Sequence, residues 1–374
     1  MTGRRPMTRE DERVSTPPTD DLTALTERAV PHQAVGAYLA AQLGDEGWRD
    51  CSLELVAGGR SNLTFFVSSA AGDVVLRRPP LSNRLPTAHD MGREHRVMTA
   101  LGDTPVPVPQ TLALCTDDDV IGAPFYVMSR VPGYIVRDEM PNGYAESPDQ
   151  RRAIGHGLVD VLADLHSVDP AAVGLGDYGR PDGYLTRQIR RWTTQWEATR
   201  QPDEPGGADL DRLATRLSEA LPASPTGPVV HGDYRMDNVL LDPTTPGTVA
   251  AVLDWELSTL GDPLADVGLF FVYWQDPTDD ETRVASHLVP SVTRLPGFPH
   301  RRELLERYAA RTGRDLSALP WYVGFACFKL AVVLSGVAAR GRAGAMIGGG
   351  FVEMAARIPP LVAVGHASLS GDLG

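Results

Sequence analysis

One stretch between residues 229 and 254 limits the folds open to this chain more than any other part of it. Two apolar runs, 229–231 and 239–241, flank the polar segment HGDYRMDN, and a third apolar run over 250–254 ends in Asp254. Short apolar runs bounded by turn residues predict β-strands. A strand, a loop and a returning strand at this spacing bring Asn238 and Asp254 to the same end of a hairpin.

Three side chains of this stretch, Asp233, Asn238 and Asp254, suit the transfer of a phosphoryl group. That reaction needs an oriented hydroxyl, a metal-bound triphosphate and neutralisation of charge, with little covalent help from the protein. Asp233 can accept the hydroxyl proton, and the oxygens of Asn238 and Asp254 are ligands of the kind that Mg²⁺ prefers. A lone aspartate before a strand would indicate only a turn, but three residues at this spacing favour catalysis. We interpret His231 as an anchor of the loop.

Composition limits the size class and the partners of the chain. At 374 residues it exceeds what one hydrophobic core usually supports, so we expect two lobes. A formal net charge of −13 argues against a nucleic-acid binder, which needs an excess of Lys and Arg. Cys51, Cys115 and Cys327 lie far apart without a CxxC pair, which argues against a disulfide framework or a cysteine zinc site.

Two segments bear on localisation. Residues 1–28 lack the apolar run of a signal peptide and predict a disordered tail, so we expect a cytoplasmic protein. The run over 321–339 is apolar enough to raise the question of a membrane span, but Lys329 lies in its middle, where insertion costs about 2.5–3.5 kcal/mol. We therefore predict a buried core helix and no membrane contact. Lys329 is also the only lysine in the sequence.

The character of the predicted elements changes near residue 131. Alternating apolar residues predict a mainly β region before it, and apolar residues at helical spacing follow the N-cap signal of Ser147 and Pro148. The expected fold is therefore α+β, with a small β-rich N-lobe over 29–131 and a larger, mainly helical C-lobe over 132–374. The predicted helices span 31–43, 91–101, 184–200 and 210–221, with another starting at 147, and the N-lobe strands span 52–55, 64–68, 73–77 and 125–131.

Longer motifs resemble a known family. HGDYRMDNVLLD and VLDWELSTLGDPLADVG look like the aminoglycoside phosphotransferase/choline kinase family, whose fold is protein-kinase-like and two-lobed. GRSNLTF from Gly59, VVLRRPP from Val74, HDMGREHRVMTAL from His89 and PFYVMSRVPG from Pro124 are similar to one subgroup, found alone in bacteria or fused to acyl-CoA dehydrogenases. The resemblance covers residues 32 to 355 and implies ATP and Mg²⁺ as cofactors, with GTP as an alternative nucleotide.

The resemblance also implies roles for single residues. Asp233 becomes the catalytic base, and Asn238 and Asp254 become the magnesium ligands. At the nucleotide it places Ser61 and Asn62 in a glycine-containing loop over 58–64, Arg77 paired with Glu94, and Met128, Ser129 and Val131 at the hinge.

Two further features of this family pattern are the arginine at position 77 and the acidic residue Asp266. Arg77 stands where the family usually has a lysine, and it keeps the charge while adding a planar fork of donors. Arg78 competes for the role, because neighbouring strand residues point to opposite faces and only one of the two turns inward. Asp266, in the segment GDPLAD, is interpreted as a structural residue that bonds the catalytic loop.

The acceptor side is less constrained. The helix predicted over 184–200 lies where the family has its substrate-side insertion, and it carries three arginines before its first acid, Glu197. A pocket for polycationic aminoglycosides should be lined with carboxylates, so an anionic or neutral acceptor is favoured over a drug. A solvated basic face is the alternative interpretation of the arginines. The candidate acceptor residues are Tyr184, Arg191, Trp192, Lys329 and Arg340.

The sequence thus predicts a small-molecule kinase that transfers the γ-phosphoryl of ATP or GTP to a hydroxyl. A hydroxyacyl-CoA or a related metabolite is the candidate acceptor. Two alternatives stay open, an aminoglycoside or macrolide phosphotransferase and a non-catalytic nucleotide-binding regulator. We expect no nucleic-acid partner, and a monomer or a homodimer.

Overall fold

The computed structural model describes residues 26–56, 62–81, 90–224, 227–289, 291–342 and 353–373. Ser61 and most of the glycine-containing loop predicted over 58–64 lie outside the described residues. Within them, an antiparallel sheet near the N-terminus precedes a region built mainly of helices. This arrangement confirms the predicted α+β, two-lobed fold class.

The N-terminal sheet has five strands. They are β1 (Ser52–Leu55), β2 (Leu63–Ser69), β3 (Gly72–Arg78), β4 (Thr111–Cys115) and β5 (Phe125–Ser129), in the order β1-β2-β3-β5-β4. Alternation of side chains fixes the buried face, since Phe65 and Val67 of β2 are both fully buried. β3 is central and pairs with β2 and β5, so that Arg77 lies opposite Thr64 on one side and Tyr126 on the other.

Helices surround this sheet and make up most of the later chain. Among the described residues they are α1 (His32–Leu43), α2 (Met91–Leu101), α3 (Asp118–Ile121), α4 (Pro148–Leu165), α5 (Tyr184–Thr199), α6 (Gly207–Glu219), α7 (Pro263–Tyr273), α8 (Glu281–Ser286), α9 (Arg301–Thr312), α10 (Leu319–Arg342) and α11 (Ile358–Ser368). The predicted start of α4 is confirmed, because Ser147 and Gln150 form a reciprocal capping box with Pro148 at the first helical position.

Two short two-stranded sheets, the second of them a hairpin, flank the polar segment HGDYRMDN. They pair β6 (Val229–Val230) with β9 (Thr259–Leu260), and β7 (Val239–Leu241) with β8 (Val249–Val252). We call the hairpin of β7 and β8 the catalytic hairpin. Beyond its last residue pair, the Leu253 N–H donates to the carbonyl of Asn238 at 2.8 Å. Asn238 and Asp254 therefore lie at the same end of the hairpin, as the spacing predicted.

α10 is the central helix of the helical region. Within the described residues it is the helix long and apolar enough to cross a bilayer, yet 83% of its apolar window is buried inside the protein. It packs mainly against α7 and α11, and residues such as Phe328 and Ala331 are fully buried. This burial matches the predicted core helix. Lys329 is the one basic residue in the middle of α10.

A charged cluster joins the loop after α7 to the start of α9. The carboxylate of Asp276 accepts hydrogen bonds from the backbone N–H of Arg301 at 3.0 Å, from the Thr278 hydroxyl at 2.6 Å and from the ring of His300 at 2.9 Å. Burial alone would raise the pKa of Asp276, but these hydrogen bonds outweigh it and lower the pKa to about 2. The ionised carboxylate therefore stabilises the folded state.

This cluster predicts an acid-dependent loss of stability. A carboxyl whose pKa falls from about 3.9 in the unfolded chain to about 2 when folded contributes about 2–3 kcal/mol at neutral pH, and this is lost as the pH falls from about 5 towards 1. Asp276→Asn should lower the free energy of unfolding at pH 7, and its difference from the native protein should shrink below pH 4. Denaturant titrations across this range measure it, with the exposed Asp103→Asn as control. Parallel curves for Asp276→Asn and the native protein would contradict the assignment.

Candidate active site

The loop between β6 and β7, residues 231–238, is the catalytic loop, and Asp266 in the first turn of α7 holds it in place. The carboxylate of Asp266 is 1% exposed and accepts the backbone N–H groups of His231 at 2.6 Å and Gly232 at 2.8 Å. The His166 ring, 3.2 Å away, also faces it. Burial opposes ionisation of Asp266, but the hydrogen bond from His166 and the contacts with His231 lower its pKa overall. The predicted structural role of Asp266 agrees with these contacts.

His166 extends this support towards α9. Burial lowers the pKa of the His166 ring, so the neutral imidazole donates its Nε2–H to Asp266. Its Nδ1 then accepts the hydroxyl proton of Tyr308 at 2.7 Å. Hydrogen bonds therefore connect residues of α7 and α9, and the residue that follows α4, next to the catalytic loop.

His231 anchors the loop, and its ring atoms are both engaged. Its Nδ1 accepts the backbone N–H of Asp233 at 3.1 Å, so its Nε2 carries the proton and donates to the carbonyl of Leu253 at 2.8 Å. The ring therefore ties the loop to the residue before Asp254. This geometry matches the anchoring role predicted for His231, because both ring nitrogens are engaged in hydrogen bonds and neither is free to act as a general acid or base.

Asp233 and Asn238 contact each other directly. The Asn238 amide nitrogen donates to the backbone carbonyl of Asp233 at 2.8 Å and to its carboxylate at 2.9 Å. Since the amide nitrogen is used in this way, the amide oxygen of Asn238 is the atom left for a metal. Asp254, which follows Leu253, has a φ of +65°, a backbone conformation that is uncommon for residues other than glycine and that clusters at functional sites.

Arg77 is the basic residue of β3 that faces Glu94 and Asp254. Its guanidinium lies 2.9 Å from Glu94, in ion-pair contact with Asp254 and 3.8 Å from Glu256. Burial would lower the pKa of Arg77, but the surrounding acids raise it overall. The predicted pairing of Arg77 with Glu94 agrees with this geometry, and the guanidinium also reaches Asp254 of the catalytic hairpin.

Arg78 occupies the opposite face of β3. It is 1% exposed, and its guanidinium donates to the carbonyls of Pro79 at 3.0 Å, Ile121 at 3.3 Å and Ala29. These backbone partners hold it away from Asp254. The choice between the two arginines, which strand alternation left open, therefore falls on Arg77.

Asn62 lies between the two lobes rather than at an open loop. Its amide nitrogen donates to Glu94 at 2.8 Å and to Glu256 at 3.2 Å, and the residue is 2% exposed. The Tyr126 hydroxyl donates to the other oxygen of Glu94 at 2.9 Å. Sequence reasoning missed Glu256 and Tyr126. Glu256 could have been predicted from its position two residues after Asp254.

The hinge residues lie at the end of β5. Met128 is buried, and the Ser129 backbone N–H donates to the carbonyl of Gln110 at 2.8 Å. Val131 follows the strand, and Tyr134 then forms an isolated bridge with Leu241 of β7. That bridge connects the hinge to the catalytic hairpin. Contact of these residues with a base stays a prediction.

Four of the five candidate acceptor residues meet in one pocket, which opens on Gly232. The Lys329 ammonium donates to the Gly232 carbonyl at 2.6 Å and lies 5.6 Å from the centre of the Trp192 ring. Arg191 is exposed, with its guanidinium carbon 5.3 Å from the same ring. The pocket lining combines Tyr184, Gln188, Arg191, Trp192 and Lys329 with apolar residues of α7 and α10.

Arg340 does not join this pocket. It is exposed near the end of α10, eleven residues beyond Lys329, which is roughly 16 Å along a helix. The grouping of Arg340 with the acceptor residues is therefore corrected, because the length of α10 separates them. Arg342, in the same last turn, lies 3.4 Å from Glu204.

Comparisons with known proteins bear on this site. Residues 52–320 match the phosphotransferase enzyme family. A crystal structure from Ralstonia eutropha, assigned to the aminoglycoside phosphotransferases, is 34% identical with a TM-score of 0.75 and covers 90% of this chain and 98% of its own. A microcompartment-associated aminopropanol kinase, 19% identical with a TM-score of 0.56, covers 87% of this chain and 95% of its own and supports the fold alone.

The curated relatives are longer proteins. Acyl-CoA dehydrogenase family member 10 of Mus musculus is 36% identical over 317 residues, which is 84% of this chain and 29% of the relative. Family member 11 of Homo sapiens is 34% identical over 328 residues, 86% of this chain and 41% of the relative. The chain therefore spans 29 to 41% of the length of these two relatives. With the match over 52–320 and the hairpin geometry, the chain belongs to the phosphotransferase enzyme family and is a phosphotransferase with an alcohol group as acceptor.

Proposed function

We propose that the protein is a Mg²⁺-dependent kinase that transfers the γ-phosphoryl of ATP, or of GTP, to a hydroxyl of an anionic or neutral small molecule. The observation that carries the proposal is the position of Asp233. It contacts Asn238 on the nucleotide side, and it directly follows Gly232, which the acceptor pocket reaches. A base placed between a triphosphate and a hydroxyl is what in-line transfer requires.

The residues divide the chemistry between them. Asp233 would orient the acceptor hydroxyl and take its proton, and Arg77 would neutralise phosphate charge. The amide oxygen of Asn238 and the carboxylate of Asp254 would hold Mg²⁺, which typically binds proteins through one or two such groups and completes its shell with phosphates and water. When bound, the ion neutralises charge on the transferring phosphoryl group.

Charge in the acceptor pocket supports an anionic or neutral acceptor. Among the described residues no carboxylate forms a salt bridge with Arg191 or Lys329. The one carboxylate in the pocket lining is Asp266, and backbone and histidine donors already occupy it. A polycationic drug would meet two cations without a salt-bridge partner here, which disfavours it.

From the chemistry of its lining, the acceptor that we propose for this pocket is a hydroxyacyl compound, such as a hydroxyacyl-CoA. The cations of the pocket could bind an acyl carbonyl or the phosphates of a carrier. Leu269 and Phe325 form an apolar part of the pocket lining. The similarity to 29% of acyl-CoA dehydrogenase family member 10 and 41% of family member 11 supports acyl compounds as well. The proposal for this chain extends only to the kinase step.

An acceptor screen tests the proposed function. With Mg²⁺ and AMP-PNP present, a true acceptor should raise the melting temperature by mass action, and with ATP or GTP it should raise nucleoside diphosphate release above the rate with water alone. We expect a response to hydroxyacyl thioesters or hydroxy acids and none to aminoglycosides or macrolides. Asp233→Asn, which keeps the shape but cannot accept the proton, should lower the stimulated rate by about 10²-fold or more.

The other outcomes of the screen decide between the alternatives. Stimulation by an aminoglycoside or macrolide alone would establish an antibiotic phosphotransferase. Turnover that is unchanged in Asp233→Asn for every acceptor would overturn the kinase assignment and favour a nucleotide-binding regulator.

A second prediction concerns the nucleotide. Arg77→Met should weaken AMP-PNP binding in the presence of Mg²⁺ by about ten- to a hundredfold, since hydrogen bonds to charged groups are worth about 1.5–3 kcal/mol. Titration calorimetry measures this, with Arg77→Lys expected to retain part of the affinity because it keeps the charge. Arg49→Met, at an exposed site of the same lobe, is the control. Equal affinity in Arg77→Met and the control would remove Arg77 from the phosphate site.

A further inference from the structure

Both backbone polar groups of Gly232, its N–H and its carbonyl, are held by side chains. Its N–H donates to Asp266 at 2.8 Å, and its carbonyl accepts from the Lys329 ammonium at 2.6 Å. Its φ of +84° suits glycine, and a Cβ atom added there would lie 2.7 Å from the carbonyl oxygen of Leu257. The next residue is Asp233, so these two hydrogen bonds determine the backbone position from which the side chain of the proposed base extends.

Lys329 reaches this peptide from a different part of the fold. It projects from the middle of α10, which follows the catalytic loop by almost a hundred residues, since the contact joins positions 97 apart. Burial lowers the pKa of Lys329, whereas Asp233 and Asp266 act to raise it and Arg191 lowers it further. Tyr184 is the other titratable side chain in the pocket lining.

Packing alone gives no reason for a cation at this place. Shielding an ammonium from water costs free energy unless donors and charge are satisfied, and a hydrophobic side chain of similar length is often as stable or more so. The sequence contains 35 Lys and Arg residues, of which this one alone is lysine. A compact ammonium can donate to a carbonyl where a planar guanidinium needs more room.

We propose that Lys329 is a positioning residue, which fixes the Gly232 carbonyl and thereby the approach of the Asp233 carboxylate to the acceptor hydroxyl. The proposal rests on the function proposed for Asp233. It acts through the loop and not through the nucleotide, because Lys329 lies on the side of Gly232 that faces Trp192 and Arg191. Its effect should therefore appear in turnover and not in nucleotide affinity.

The test uses water as the acceptor, so that it does not depend on the identity of the natural one. Hydrolysis of MgATP is measured for the native protein, Lys329→Met, Lys329→Arg and Asp233→Asn, together with AMP-PNP affinity by calorimetry and the melting temperature. Lys329→Met should lower kcat by about ten- to a hundredfold with AMP-PNP affinity within about twofold and an equal or higher melting temperature. Lys329→Arg should recover part of the rate, and the exposed Arg302→Met should match the native protein.

Each outcome decides between the two claims. A native rate in Lys329→Met beside an inactive Asp233→Asn would overturn the role of Lys329 and leave the proposed function intact. A native rate in Asp233→Asn would overturn the proposed function itself. Loss of nucleotide affinity and of melting temperature together with rate in Lys329→Met would mean that the residue supports the fold in general, which also overturns the positioning role.

Discussion

The buried carboxylate of Asp266 is the group on which the rest of the site depends. An ionised carboxylate inside a protein is costly unless donors surround it, and here two backbone N–H groups of the catalytic loop and the ring of His166 supply them. The same hydrogen bonds that satisfy the charge also fix the loop. Because His166 bonds Tyr308 as well, the position of the loop is determined by three packed helices and not by the loop's own short sequence.

The two sides of this loop carry opposite charge. On the nucleotide side, Glu94, Asp254 and Glu256 surround the single guanidinium of Arg77. On the acceptor side, Arg191 and Lys329 face a pocket whose one lining carboxylate is already engaged. The net charge of −13 therefore says nothing about either site, since binding responds to charges within a Debye length of roughly 8–10 Å. A metal ion suits the first side and an anion or a polar oxygen suits the second.

What the sequence could predict was mostly local. The span of α2 was predicted at both ends, because Asp90 caps a periodic apolar segment that stops at a glycine. The convergence of Asn238 with Asp254 followed from the spacing of a hairpin. β4 was missed, because its five residues directly follow a proline-rich run and lack long alternation.

Tertiary packing decided what the sequence could not. Alternation along β3 shows that Arg77 and Arg78 point to opposite faces, but only the position of α2 and the catalytic hairpin shows which face holds the acids. Arg340 and Lys329 share one helix, and grouping them ignored the distance that eleven helical residues span. The hydrogen bond from Lys329 to Gly232 joins residues 97 positions apart, and the periodicity of neither segment predicts it.

Residues of the N-lobe reach the segment that carries one of the proposed metal ligands. Asn62 and Arg77 contact Glu256 and Asp254, which both belong to the short segment after β8. The carboxylate proposed to hold the metal is therefore in ion-pair contact with a guanidinium. A metal–nucleotide complex would offer a cation to Asp254 and phosphate oxygens to Arg77. Neither charge would then be left buried and unpaired, so this ion pair is compatible with a bound nucleotide.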